Sequence, residues 1–308
     1  MEQFTPVRTL RDAIYGKVVL CQRHLCDGDD LVAIKMMSLA SIATKTAVRG
    51  GYRIKEDGSE EVAILKSLPP HPSIVNLLEH FEHDGMLCLV LEYCSLGELF
   101  DHLHRQKLQL PRHQSPQQQP FLSVKAVVGG LVSERQAATW FRQIVDGVAH
   151  IHAHGIAHRD VSLENILLDG NQHCRSVEYA TLGCRRAREN DVWGELESHS
   201  TWPRKCISGI FSADVWSLGI LLFILLSGIP PLEVPSEIDA RFRIIRQDGI
   251  HVLAKMWGLT MSKDALDLLS CIIRAQPDER PSLDEILCHR WFQSRWLDAT
   301  VGNEILVA

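Results

Sequence analysis

No two of the nine cysteines form a CxxC pair. That argues against a zinc site and against a disulfide framework, and leaves free thiols in a reducing compartment as the plain reading. There is no long block of basic residues either. With a formal net charge of -6, the chain gives no electrostatic case for a nucleic-acid or membrane-surface partner. The opening MEQFTPVRTLRD lacks the apolar core of a signal peptide. The only long apolar run, LGILLFILLSGI at 218–229, is short for a bilayer span and reads as a buried core helix. These absences predict a soluble protein of the cytoplasm or nucleus.

What is present is 308 residues at 45% hydrophobic content, enough to bury a substantial core in one large domain or two lobes. KVVLCQRH at 17–24, LVAIKMM at 31–37 and MLCLVLEY at 86–93 predict strands of an antiparallel sheet. EEVAILKSL at 60–68 predicts a helix with Val62, Leu65 and Leu68 near one face, stopped by Pro69 and Pro70. From residue 131 the period is helical. SERQ at 133–136 reads as a capping box, and Ala137, Trp140, Phe141, Ile144, Val148 and Ile151 trace one apolar stripe behind it. Further helices are expected over 214–227, 262–274 and 282–289. A small β-rich lobe followed by a larger helical lobe, an α+β architecture, is implied.

Two segments break this order. QKLQLPRHQSPQQQP at 106–120 is rich in Gln and Pro and predicts a flexible surface insertion reaching to about 130. Residues 170–206 carry many charges and no clear period.

VAIK at 32–35, HRDVSLEN at 158–165 and DVWSLG at 214–219 occur in that order, and in them the chain resembles the protein kinase family. The resemblance runs from about residue 8 to 296, with an N-lobe over 8–92, a C-lobe over 93–296 and a short tail at 297–308. It implies a bilobal fold and transfer of the γ-phosphate of ATP, with Mg2+, to Ser or Thr hydroxyls of protein substrates. Oligomeric state stays open.

The chemistry needs positioning and cations, and the resemblance assigns residues to both tasks. Lys35 would reach the α and β phosphates, and Glu61, or else Glu60, would hold it in place. Asp160 would accept or orient the substrate hydroxyl proton, with Asn165 holding magnesium beside it. Asp214 would anchor the catalytic-loop backbone. In LEYCSLGEL at 91–99, Leu91 would gate the back of the adenine pocket, Glu92 and Cys94 would bond adenine through their backbone, and Glu98 would approach the ribose or a basic substrate side chain. Ala33 would also take part in binding the nucleotide. The histidines of AHIHAHGIAH could also be read as a metal cluster, but no carboxylate or Cys completes a set.

Several motifs depart from the family pattern. In RDAIYGKV at 11–18 only Gly16 and Val18 of the phosphate-covering GxGxxGxV survive, with Arg11 and Ala13 in place of the first two glycines. Ser162 replaces a lysine that many serine/threonine kinases use against the γ-phosphate. The family's spacing brings the second magnesium ligand to Glu178, in EYA, with Asp191 as its rival. No APE precedes DVWSLG, so Arg280 in PDERPS would lack its carboxylate and stay solvated. The ending LEN and HRWF at 289–292 resemble the calmodulin-regulated serine/threonine group. Two readings follow: an active serine/threonine kinase, or a pseudokinase serving as a nucleotide-binding or scaffold module. Arg159 beside Asp160 would order a phosphorylated loop, with Ser198, Ser200 and Thr201 as candidate sites.

Overall fold

A computed structural model describes residues 3–53, 58–109, 132–176, 185–186 and 204–293. Three antiparallel strands open it: β1 (Phe4–Ala13), β2 (Gly16–Leu25) and β3 (Gly28–Ser38). The short helix α1 (Leu39–Thr44) follows, its N-terminus capped by Ser38, and then α2 (Gly58–Ser67). Strands β4 (Leu77–His83) and β5 (Met86–Glu92) complete a five-stranded sheet in the order β1-β2-β3-β5-β4.

The central strands are apolar on both faces because both are covered. Val32 and Ile34 pack with Phe4, Val19, Cys21, Cys88 and Val90 on one side. On the other, Met37 and Leu89 meet Val62 of α2 together with Tyr15, Ile42 and Ala47. Helix α2 covers more than the expected stripe. Ile64, which that stripe omits, is buried against Ile74, Ile151 and Ile156, with Leu65 and Leu68 only partly buried beside it. The helix is wedged between the sheet and the helical lobe, so two of its faces are apolar.

The second lobe begins with β6 (Gly97–Glu98) and α3 (Leu99–Gln109). Helix α4 (Glu134–Ala153) is capped by the Ser133 side chain, which accepts from Gln136 N, and every residue of the predicted stripe is buried. Strands β7 (Ile156–Ala157), β8 (Ile166–Leu168), β9 (Cys174–Ser176) and β10 (Arg185–Arg186) form two small sheets, with β8 central between β6 and β9. Helix α5 (Arg204–Ser227) starts ten residues ahead of the expected 214. Its stretch Gly209–Ser227 is long and apolar enough to cross a membrane by length and composition, so length alone does not settle what it is. Leu218, Leu222, Phe223 and Leu225 lie fully buried in the core shared with α4, which accounts for the composition. Helices α6 (Ala240–Asp248), α7 (Ile250–Met256), α8 (Lys263–Ile272) and α9 (Leu283–Leu287) pack around it. Most of the Gln/Pro-rich insertion and the tail lie outside the described residues, although α3 runs into the insertion's first residues.

Candidate active site

Lys35 sits in the middle of β3, where the register places it opposite Val18 on one neighbour and Leu89 on the other. Alternation along the strand turns it away from the Val32–Ile34 face. Its Nζ donates to both carboxylate oxygens of Glu61, at 2.9 and 3.1 Å, and both side chains are buried. Burial lowers the basicity of Lys35 and raises the Glu61 carboxyl, and their mutual attraction opposes both shifts. The structure thus selects Glu61 as the partner of Lys35.

The catalytic-loop candidate follows β7. Asp214, buried in α5, accepts from the backbone N–H of His158 at 2.7 Å and of Arg159 at 2.6 Å, and from His152 Nε2 at 2.8 Å. Arg159 has φ 65°, a left-handed conformation that a non-glycine residue holds only when its surroundings over-determine it. The Asp214 carboxylate supplies that constraint. Burial lowers the pKa of His158, against the pull of Asp214 and Asp160. Val161 and Leu163 then plug into the helical core. Asn165 ends a 3-10 turn and donates its Nδ2 to Asp160 O at 2.8 Å and Asp160 Oδ2 at 2.7 Å.

Between the lobes lies a cavity of about 490 Å3 whose wall includes Val18, Ala33, Lys35, Glu61, Leu91, Glu92, Cys94 and Glu98. Gly16, Asp160 and Asn165 are not part of that wall. Gly16 has a packing reason of its own, because a Cβ there would stand 2.0 Å from Met36 O. In the hinge, Glu92 N donates to Asn76 O and Cys94 O accepts from Gly97 N, both at 3.1 Å. Burial pushes the Cys94 thiol up to about 12, so it stays protonated. Glu178, Asp191, Ser198, Ser200 and Thr201 lie outside the described residues.

Three features escape a reading by motif alone. Arg280 is only partly exposed. It donates to the carbonyls of Ser212, Arg274 and Ala275 and stacks over Trp216, and burial brings its guanidinium down to about 10. Among the described residues its partners are backbone oxygens. Arg175 links Glu92 of the hinge, at 3.3 Å, to Asp169 in the β8–β9 turn, at 3.2 Å. The segment that carries it shows no hydrophobic period, which hid it. Finally, Arg11 Nη1 reaches Glu98 Oε1 at 3.3 Å across the front of the cavity. Of the histidine run, His152 and His158 serve Asp214 and its loop, while His150 Nε2 donates to Pro69 O; among the described residues no group of three His, Cys, Asp or Glu side chains could hold an ion.

A five-stranded lobe, a helical lobe, a buried Lys–Glu pair at the cleft and an Asp/Asn loop braced from α5 define a protein kinase domain. Residues 7–191 and 205–292 match the family model for the protein kinase domain, and the chain belongs to that family. It is 29% identical over 285 residues to calcium-dependent protein kinase 20 of Oryza sativa subsp. japonica, covering 91% of this chain and 46% of that protein. Calcium-dependent protein kinase 3 of the same plant is 30% identical over 292 residues, at 93% and 47% coverage. A calcium and calcium/calmodulin-dependent serine/threonine-protein kinase of Lilium longiflorum is 29% identical over 235 residues, at 74% and 40%. The chain spans less than half the length of these relatives. Their names agree with the calmodulin-regulated, serine/threonine resemblance of LEN and HRWF.

Proposed function

We propose that the protein transfers the γ-phosphate of ATP to Ser or Thr hydroxyls of protein substrates, in a reducing compartment of the cell. The observation that carries this reading is the buried Lys35–Glu61 pair opening onto the interlobe cavity. A buried ion pair adds little stability over apolar residues of the same volume, and a polyphosphate would give this lysine's charge a use. Adenine would lie between Ala33 and Leu167, against Leu91 and the backbone of Glu92 and Cys94. Asp160 would take the substrate proton as the hydroxyl oxygen bonds to the γ-phosphorus and the bond to the β–γ bridging oxygen breaks, leaving ADP.

The residues present suit magnesium. Asn165 spends its amide N–H groups on Asp160, which leaves Oδ1, a hard oxygen donor, for the cation. Asn165 and Glu178 would hold it. When bound, Mg2+ neutralises charge on the β and γ phosphates. Ser162 leaves one fewer cation at the γ-phosphate, a loss on the order of 100-fold in rate for a group of this type.

The test is incubation with Mg2+ and ATP on basic peptides that differ only in carrying Ser, Thr or Tyr. Phosphate appearing on Ser and Thr supports the reading; phosphate on Tyr alone contradicts the hydroxyl class. Thermal stabilisation by ATP with no transfer to any peptide would favour the nucleotide-binding scaffold instead.

A further inference from the structure

Strand β1 carries a register shift between Thr9 and Arg11: Thr9 faces Val19, but Arg11 faces Val18. Continued without the shift, the register would put Leu10 opposite Val18 and turn Arg11 to the other face. A bulge of this kind re-aims a side chain, and here it sets Arg11 in the same cross-strand row as Val18 and Lys35. Arg11 lines the cavity, and its positive charge is among the influences that lower the basicity of Lys35. Its carboxylate partner Glu98 lies across the lobe boundary, with side-chain exposures of 30% and 27% for the two residues. A half-exposed pair of that kind is weak and readily exchanged.

We propose that Arg11 binds the polyphosphate of the nucleotide, replacing by a guanidinium fork the backbone contacts that a glycine at this position would allow. Glu98 holds one arm of the guanidinium. The incoming phosphate oxygens, which accept bidentate hydrogen bonds in the same geometry as a carboxylate, displace it. The Lys35 and Arg11 charges then flank the phosphates, so that binding depends less on the metal.

This inference rests on the nucleotide reading above, and its test separates the two. Affinities of the full chain for ATP, ADP and adenosine are measured by calorimetry without Mg2+, for wild type, Arg11→Ala and Arg11→Lys. Arg11→Ala is expected to weaken ATP and ADP by about tenfold or more and to leave adenosine within about twofold, with Arg11→Lys between. Unchanged adenosine binding also shows that the variant is folded. ATP binding that is unchanged in Arg11→Ala overturns the Arg11 role alone. Stronger binding of ATP and adenosine alike also overturns it, since Arg11 would then merely obstruct the cleft. Wild type that binds neither ATP nor adenosine removes the nucleotide reading and this inference together.

Discussion

At the scale of single residues, the costliest feature is the Lys35–Glu61 pair. Removing one member strands a buried charge, so Glu61→Ala should lower the unfolding free energy by roughly 3 kcal/mol, while Lys35→Met with Glu61→Leu should recover much of it. Denaturant midpoints at constant slope measure both, and equal losses in the single and double variants would contradict the pairing. Gly16→Ala tests a different cause. Its Cβ would press on the Met36 carbonyl, and overpacking of backbone costs about 1–3 kcal/mol. A thermal midpoint unchanged from wild type would show that Gly16 is not needed for packing. The positions of Lys35, Asp160 and Asn165 were legible in the sequence because short motifs fix their spacing, whereas the choice of Glu61 over Glu60 as the partner of Lys35 needed the fold. Arg11 was legible only as a missing glycine, since no sequence pattern discloses a bulge that turns one side chain into the cleft.

At the scale of elements, the legible parts were those with two neighbours. Strands β2, β3 and β5 are central and therefore apolar, whereas β1 and β4 are the edges of the sheet and carry mostly exposed side chains, as edge strands do. Their periodicity was too weak to read. Helix α4 was legible because its stripe is complete, and α5 was truncated because the chain ahead of Asp214 lacks that signal. The β1–β2 turn shows a contact that only the fold reveals: Tyr15 is tucked beneath the α1 segment, with Val48 N donating to Ile14 O and Ser38 N to Tyr15 O. Helix α5 braces the catalytic loop, so Asp214→Ala should cost about 2 kcal/mol or more through two orphaned backbone donors. Retention of full activity and stability in that variant would contradict the bracing. In the β8–β9 turn, burial favours the protonated Asp169 carboxyl, but N–H groups of His173 and Asn171 and the Arg175 guanidinium outweigh it and lower the pKa. Its contribution is therefore present above the ordinary carboxylate range and lost as pH falls through the lowered value. The stability difference between wild type and Asp169→Asn should shrink as pH drops below about 4; a constant difference would rule this out.

At the scale of the whole molecule, the contacts between the two lobes include the hinge, the Ile64–Ile151 contact behind α2, the backbone bonds of Ser176 with Ser73 and Val75, and the Arg11–Glu98 pair in front. The cavity between them is lined by the cations Arg8, Arg11, Lys35 and Arg105, and Asp160 stands outside its wall on the loop that Asp214 holds. The phosphoryl-transfer account requires these parts to act together, and Asp160 is the one whose carboxylate the chemistry cannot do without. The most direct measurement is the initial rate of phosphate transfer from ATP to a basic serine peptide in the presence of Mg2+, for wild type against Asp160→Asn. The account predicts transfer by wild type and a loss of 100-fold or more in the variant, on the order of a missing general base. Equal rates in the two proteins, or no transfer by wild type, would contradict it.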